Sequence, residues 1–365
     1  MALKCGIVGL PNVGKSTLFN ALSSAKAEAA NFPFCTIEPN IGVISVPDER
    51  LNDLKQLANP ERVLPTVIEF VDIAGLVKGA SKGEGLGNKF LANIREVNAI
   101  IHVIRCFDDD NIVHVDGRVD PIHDKEIIDT ELQFKDLESV DKKVSRVEKM
   151  AKTGDAKFKK QYESLLKYKK HLEAGKNVRS LEVTEDEKEV VADLFLLTSK
   201  PVIYVANVDE DSIHSGNKYS NTLTEAVASE NAEVLLISAA IESQIAELED
   251  EEEKLMFLQE YNLSESGLNQ LIKASYKLLN LITYFTAGPK EVRAWTIEKG
   301  WKAPQAAGVI HTDFERGFIK AEVIKLNDYK QYKTEAGCRE AGKLSIEGKD
   351  YVVKDGDIMH FRFNV

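Results

Sequence analysis

One short segment near the start of the chain combines glycines, a lysine and a hydroxyl side chain at a spacing that binds phosphates. Residues 9–16 read GLPNVGKS and match the pattern G-x-x-x-x-G-K-[ST] without exception. Glycines let backbone N–H groups surround phosphate oxygens, and the start of a following helix adds partial positive charge. The pattern therefore predicts a phosphate-binding loop for a nucleoside triphosphate. We expect its ligand contacts to come from Asn12, Val13, Gly14, Lys15, Ser16 and Thr17.

Further residues are expected to complete a catalytic and magnesium-binding set around this loop. Lys15 is expected to reach the β- and γ-phosphates, and Ser16 is expected to ligate Mg²⁺. Asp72 can hold the same ion through a water molecule, and Gly75 can present its N–H to the γ-phosphate. Thr36 precedes them in the chain and is expected to be another Mg²⁺ ligand. These residues predict a magnesium-dependent nucleoside triphosphatase.

A second motif bears on which base is bound. GTPases usually carry Asn-Lys-x-Asp after a later strand, whereas this chain has Asn207-Val208-Asp209-Glu210. Val208 replaces the lysine that packs over the base, and the longer Glu210 displaces the carboxylate that pairs with guanine. A misplaced carboxylate is costly, so guanine should lose its advantage, and Asn207 suits adenine. The alternative is a plain turn at the end of a strand. The last base-contacting loop is expected at Ser238, Ala239 and Ala240.

The elements that must position these motifs alternate between strand and helix. Five short segments are β-branched and almost continuously apolar, which is typical of parallel strands covered on both faces. Helical stretches lie between them, so we expect an α/β fold with a doubly wound, mostly parallel sheet. The predicted strands are 4–8, 67–72, 99–105, 201–207 and 234–238.

A helical insertion interrupts this alternation. Two apolar stripes at spacings of three and four residues, separated by a turn at Gly154, predict an antiparallel hairpin with a coiled-coil-like seam. Thr184 and Glu187 predict a capping box before a helix over 190–197. The first stripe is Leu137, Val140, Val144, Val147 and Ala151, and the second is Phe158, Tyr162, Leu165, Tyr168 and Leu172.

The last part of the chain lacks the repeated alternation of helix and strand. Segments 281–286 and 291–298 look like a hairpin, and 352–363 looks like strand, turn, strand. We therefore expect a separate small α+β domain. The predicted domains are a discontinuous nucleotide-binding domain at 1–128 and 200–280, the helical insertion at 129–199, and the C-terminal domain at 281–365.

Charge is distributed unevenly along the chain. The net charge is −12, yet residues 135–179 carry 14 Lys or Arg and 7 Asp or Glu. A basic hairpin can meet RNA phosphates, although a solvated coiled-coil face is the plainer explanation. No stretch approaches the ~20 apolar residues of a membrane span, and the four cysteines form no C-x-x-C pair. We expect a cytoplasmic monomer that does not enter a membrane.

Taken together, these motifs resemble those of the Obg-like ATPases, the YchF family of translation-factor-related P-loop proteins. The resemblance implies a preference for ATP with GTP also accepted, slow hydrolysis, ribosome association and a C-terminal TGS domain of β-grasp type. It also implies contact with ribosomal RNA through the hairpin and the TGS domain. The matching segments are 9–17 (GLPNVGKST), 31–40 (NFPFCTIEPN), 72–77 (DIAGLV), the Asn-x-x-Glu at 207–210, and 310–318 (IHTDFERGF).

The sequence leaves the hydrolytic step open. Leu76 stands where Ras-type enzymes carry the glutamine that orients water, and leucine cannot do so. His114, in a polar stretch after the third predicted strand, is a candidate, and an ordinary loop histidine is the alternative. Asn12 suggests a potassium ion beside the phosphates. Because intrinsic hydrolysis could be negligible, an RNA- or ribosome-binding module that uses nucleotide structurally stays open, as does an Obg-type GTPase. Cys35 could be oxidised, but an inert small residue is the simpler reading.

Overall fold

The computed structural model of the chain describes residues 3–24, 40–73, 86–109, 111–112, 117–230 and 232–364. The chain folds into two compact units. The first comprises Met1–Ile44 and Glu69–Leu271, and the second comprises Ser45–Ile68 and Ile272–Val365. Several of the residues singled out by sequence lie outside the described ranges, namely Cys35, Thr36, Gly75, Leu76 and His114.

Twelve strands are seen in the described residues. In chain order they are β1 (Lys4–Val8), β2 (Ile41–Ser45), β3 (Arg62–Leu64), β4 (Val67–Asp72), β5 (Ala99–Arg105), β6 (Val202–Asn207), β7 (Glu233–Ile237), β8 (Leu281–Ala287), β9 (Glu291–Glu298), β10 (Phe318–Lys325), β11 (Leu344–Glu347) and β12 (Asp357–Phe363).

The same residues contain fourteen α-helices, and none of these is both long and apolar enough to cross a membrane. They are α1 (Lys15–Ser24), α2 (Arg50–Ala58), α3 (Leu86–Glu96), α4 (Pro121–Ala151), α5 (Ala156–Glu173), α6 (Glu185–Val191), α7 (Lys218–Val227), α8 (Ala239–Glu247), α9 (Glu251–Glu260), α10 (Gly267–Leu278), α11 (Ala303–Ile310), α12 (Thr312–Arg316), α13 (Leu326–Tyr332) and α14 (Glu335–Glu340).

The first sheet positions the phosphate-binding loop. Its strands follow the order β2-β4-β1-β5-β6-β7. Strand β1 pairs in parallel with β4 and β5, and β6 pairs in parallel with β5 and β7. Every residue of β5 and β6 is buried, as expected for strands that are covered on both faces. The predicted doubly wound, mostly parallel α/β fold is confirmed.

The predicted hairpin is formed by α4 and α5, which share one apolar core. Helix α4 begins at Pro121, before the predicted boundary at residue 129. The Asp120 carboxylate accepts a hydrogen bond from the His123 N–H at 3.1 Å, and proline in the first turn is a further start signal. The seam buries Val140, Val144, Val147, Leu165, Tyr168 and Leu172.

The next helix is shorter than predicted and lies earlier in the chain. The capping box of Thr184 and Glu187 is present, but α6 ends at Val191 rather than continuing over 190–197. Two short 3₁₀ helices follow, and between them Phe195 adopts a left-handed conformation with φ of 47°. An α-helix cannot continue through such a residue, which corrects the predicted span.

The second unit contains a mixed sheet in the order β11-β10-β12-β8-β9-β3. Strands β8 and β9 form the predicted antiparallel hairpin, and β10 pairs antiparallel with β11 and β12. Of the strand, turn and strand predicted over 352–363, the turn and the second strand, β12 (Asp357–Phe363), are present, whereas the first strand is reduced to one bridge. Val352 forms an isolated bridge with Lys302, and Gly356 adopts a φ of 84°, so the chain turns before β12 starts.

The segment 45–68 lies in this second unit, although the sequence placed it in the nucleotide-binding domain. Strand β3 pairs in parallel with β9. Leu51 and Leu54 of α2 belong to the same apolar core as Phe285 and Val292. Phe285 and Val292 lie more than two hundred residues after Leu51 and Leu54 in the chain, so no local sequence pattern could predict this packing.

Candidate nucleotide-binding site

The loop between β1 and α1 has a backbone that only its two glycines allow. Gly14 adopts a φ of 90°, and a Cβ at this position would lie 2.2 Å from the Asn207 Nδ2 atom. A Cβ at Gly9 would lie 2.6 Å from the backbone oxygen of Val103 in β5. Side chains cannot fit at these distances, so the motif glycines permit close approach of the loop to β5 and to the end of β6.

Lys15 and Asp72 meet at the mouth of this loop. The Lys15 ammonium forms an ion pair with the Asp72 carboxylate, which lies at the end of β4. Lys15 is buried, whereas Ser16 and Thr17 in the first turn of α1 are exposed. The structure thus brings together, across 57 positions of sequence, two of the residues that were predicted to face the phosphates and the metal.

The donor set fits Mg²⁺ bound to a triphosphate. Mg²⁺ prefers oxygen ligands and is usually held by one or two protein groups together with phosphate oxygens and water. The Ser16 hydroxyl and the Asp72 carboxylate are oxygen donors of this kind. In the part of the chain that the structure describes, no group of three or more His, Cys, Asp or Glu side chains could hold a metal by itself.

The side chain of Asn207 connects the phosphate-binding loop to the predicted base-contacting loop. Its Nδ2 donates to the Val13 carbonyl at 2.9 Å, and its Oδ1 accepts from the Ala239 N–H at 3.0 Å. Only 4% of the residue is exposed. The sequence suggested that Asn207 contacts adenine, and it did not predict these two backbone hydrogen bonds. In this structure the Asn207 side chain holds the two loops in a fixed position relative to each other.

The other predicted base-contacting residues lie at the same edge of the sheet, because the carboxyl ends of parallel strands meet there. Val208 is buried, and its N–H donates to the Ile237 carbonyl at 3.0 Å. Glu210 is exposed and begins a short 3₁₀ helix, Glu210–Ser212. Ser238 and Ala239 are buried, whereas Ala240 is exposed at the start of α8.

Arg105 shapes the loop after β5 and was not singled out by sequence. Only 2% of it is exposed, and its guanidinium donates to three backbone carbonyls within residues 107–112. The available signal was an arginine at the end of a strand that is apolar apart from His102, since a buried cation needs polar partners. Those acceptors are the carbonyls of Phe107 at 3.1 Å, Asp109 at 3.1 Å and Ile112 at 2.8 Å.

Cys106 lies beside this edge but is not suited to nucleophilic chemistry. Burial, together with the nearby Asp124 carboxylate, raises the pKa of its thiol to about 12. The thiol therefore stays protonated at neutral pH, and only a thiolate is a strong nucleophile. The backbone of Cys106 instead joins neighbouring elements, because its carbonyl accepts from Asn217 Nδ2 at 2.7 Å and its N–H donates to the Asn207 carbonyl at 2.8 Å.

Replacement of Asn207 by alanine tests the connection between the two loops. The Val13 carbonyl and the Ala239 N–H would each lose a buried partner, which costs roughly 1–3 kcal/mol per group. We expect affinity for Mg-ATP and for Mg-GTP to fall about tenfold or more, measured by calorimetry. The control is Asn221→Ala, an exposed position on α7. Unchanged affinity in Asn207→Ala would contradict the positioning role.

Comparison with protein families agrees with this arrangement. Residues 281–364 match the family model YchF-GTPase_C, described as a protein of unknown function. Residues 4–144 match the model MMR_HSR1, described as a 50S ribosome-binding GTPase. The first match begins with β8, and the second includes β1, the phosphate-binding loop and β4.

Two relatives are similar to this chain over its whole length. The Ribosome-binding ATPase YchF of Bacillus subtilis (strain 168) is 59% identical over 367 residues, which covers 100% of both chains. The protein of the same name from Escherichia coli O157:H7 is 58% identical over 365 residues, again 100% of both.

Two solved structures are also similar to this chain. The Schizosaccharomyces pombe YchF GTPase matches with a TM-score of 0.90 and 42% identity, covering 99% of this chain and 97% of that one. A GTP-binding protein from Pyrococcus horikoshii OT3 matches with a TM-score of 0.62 at 20% identity, covering 99% and 100%, and shows a shared fold alone. With identities of 59% and 58% over its full length, the chain belongs to the YchF family.

Proposed function

We propose that this chain is a magnesium-dependent nucleoside triphosphatase that hydrolyses ATP in preference to GTP and binds ribosomes. The observation that carries the proposal is the meeting of Lys15 with Asp72 beside a loop whose glycines permit close approach. The names of the full-length relatives, Ribosome-binding ATPase, support both the reaction and the partner. We propose that it acts in the cytoplasm, where ribosomes are found, and that it acts as a monomer.

The proposed roles of the chain's own residues rest on the motifs and, for Lys15 and Asp72, on the ion pair between them. The backbone N–H groups of residues 12–17 bind the phosphate oxygens, and the Lys15 ammonium turns from Asp72 to the β- and γ-phosphates. Ser16 and Thr36, with Asp72 acting through a water molecule, would hold Mg²⁺, which would supply charge neutralisation at the phosphates. The Gly75 N–H contacts the γ-phosphate. These groups stabilise negative charge as the terminal phosphoryl group is transferred to water.

Base selection is assigned to the segment after β6. Val208 is buried, and its short side chain lacks the long stem with which a lysine packs over the base. Glu210 is exposed at the start of the 3₁₀ helix, one methylene longer than the aspartate that pairs with guanine. An Obg-type GTPase is the second candidate, because the family model for residues 4–144 is described as a GTPase.

Competition between ATP and GTP at equal concentration distinguishes these two candidates. We expect the purified protein to bind Mg-ATP more tightly than Mg-GTP, and chelation of Mg²⁺ to abolish tight binding of both. Lys15→Ala removes a charge-assisted contact worth roughly 1.5–3 kcal/mol, so affinity should fall about 10- to 100-fold. Equal or tighter binding of GTP would favour the Obg-type GTPase, and binding without Mg²⁺ would contradict the proposed site.

We also propose His114 as the group that orients the hydrolytic water, with a potassium ion near Asn12 supplying positive charge. The reason is chemical, because Leu76 has no polar atom and another group must hold the water. His114→Ala should lower single-turnover ATP hydrolysis at least 100-fold while ATP affinity changes less than about threefold. Turnover at the wild-type rate would remove His114 from the mechanism, and equal rates in potassium and sodium would remove the potassium ion.

The hairpin is the proposed surface for ribosomal RNA, with the C-terminal TGS domain as a second contact. Several basic side chains on α4 and α5 already have acidic partners, for example Lys152 with Glu148 and Lys167 with Glu187. A second group is exposed and forms no ion pair within the described residues. This group is Arg146, Lys149, Lys157, Lys159 and Lys160, which lie on either side of the turn at 152–155.

Charge reversal at this turn tests the ribosome contact. Lys157→Glu, Lys159→Glu and Lys160→Glu together should weaken ribosome binding at least tenfold and make it less sensitive to salt, by about one unit of log–log slope per lost phosphate contact. Pelleting assays at several salt concentrations measure both effects. The control reverses Arg95, Lys218 and Lys277, which are exposed residues outside the helical insertion and the C-terminal domain and give the same net charge. An equal effect of the two triple variants would contradict this contact surface.

A further inference from the structure

The carboxylate of Glu210 is restrained by a residue that the nucleotide motifs do not include. The hydroxyl of Tyr261 donates a hydrogen bond to Glu210 Oε2 at 3.3 Å. Glu210 follows β6, and Tyr261 follows the last residue of α9, 51 positions later in the chain. The contact therefore connects the segment after β6, to which base selection is assigned, to the end of α9, for which the sequence predicts no role.

Tyr261 is itself held in place by two neighbours. His214 Nε2 donates to the Tyr261 carbonyl at 2.7 Å. The ring of Phe257, one helical turn earlier, lies 5.1 Å from the Tyr261 ring in a tilted arrangement. Partial burial and the nearby Glu210 carboxylate raise the pKa of Tyr261 above its usual value, so the phenol stays protonated and can donate. These contacts restrain the backbone and the ring of Tyr261.

The neighbouring Asp209 carboxylate is committed elsewhere. Asp209 Oδ1 accepts from the Ser212 N–H at 3.0 Å and caps the 3₁₀ helix. Asn207 is bound to the phosphate-binding loop and to Ala239. The Glu210 side chain is exposed and accepts a hydrogen bond from the Tyr261 hydroxyl, so its direction depends on that contact.

The direction of this carboxylate decides between the purines. Guanine presents two hydrogen-bond donors, N1–H and N2–H, which a carboxylate accepts together, whereas adenine presents an acceptor at N1. We infer that Tyr261 is a specificity-determining positioning residue, which holds the Glu210 carboxylate away from the guanine donors and so favours adenine nucleotides. The inference rests on the proposed preference for ATP over GTP.

Affinities for Mg-ATP and Mg-GTP in four proteins test this role. The proteins are the wild type, Tyr261→Phe, Glu210→Gln and the double variant. Loss of the hydroxyl frees Glu210, so Tyr261→Phe should raise GTP affinity about two- to tenfold, the size of one hydrogen bond, and leave ATP affinity within twofold. In the Glu210→Gln background the same change should leave the ratio of the two affinities unaltered, because the carboxylate is absent.

A matched control is available on α7. The Tyr219 hydroxyl also donates to an exposed carboxylate, Asp108, at 2.8 Å. Tyr219→Phe removes the same kind of contact and should leave the ATP-to-GTP ratio at the wild-type value. A general loss of structure would lower both affinities together and would not change their ratio, so the ratio reports on base selection alone.

The outcomes separate this inference from the proposed function. An unchanged ratio in Tyr261→Phe, or an equal shift with Glu210→Gln present, overturns the role of Tyr261. A wild-type protein without preference for ATP would overturn the proposed preference. Even then, a shift toward GTP in Tyr261→Phe that disappears in the double variant would support the positioning role.

Discussion

Two hydrogen bonds from the amide of Asn207 hold together the loops on which the proposed site depends. One bond reaches the phosphate-binding loop at Val13, and the other reaches the start of α8 at Ala239. Because β1, β6 and β7 belong to one sheet of parallel strands, their carboxyl ends meet at one edge. One side chain at the end of β6 can therefore reach the loops that follow β1 and β7. The side chain is almost completely buried, so these bonds are shielded from water and specify one arrangement.

A second set of polar contacts joins the hairpin to the strands beneath it. Burial alone would raise the pKa of Asp129, but Arg179 and Lys125 hold it below its usual value, so the carboxylate stays charged. Removing one partner of a buried ion pair costs roughly 3–5 kcal/mol, which makes this junction intolerant of change. Burial lowers the pKa of His102 to about 4, so this residue is neutral at neutral pH. The junction consists of His102, Lys125, Asp129, Arg179, Tyr204 and Glu230.

The sequence predicted those parts of the site whose signals are contiguous. The phosphate-binding loop and the mostly apolar strands β5 and β6 can be recognised within a few residues of sequence, because close approach to phosphate needs glycine and burial on both faces needs mostly apolar side chains. The partners of Asn207 and Glu210 could not be predicted in this way. Asn207 bonds to a residue 194 positions away and Glu210 to one 51 positions away. A side chain that bonds across such distances leaves no spacing or periodicity in the sequence.

Three residues of the segment 310–318, which matched the family pattern, serve packing in the second unit. A Cβ at Gly317 would lie 2.2 Å from the backbone oxygen of Asn364, so the close approach of these two segments requires glycine. The rings of Phe314 and Phe363 stack with centroids 3.7 Å apart, and Phe318 lies in the apolar core. The unit therefore needs these residue types to bring α12 against β12, whatever ligand the protein binds.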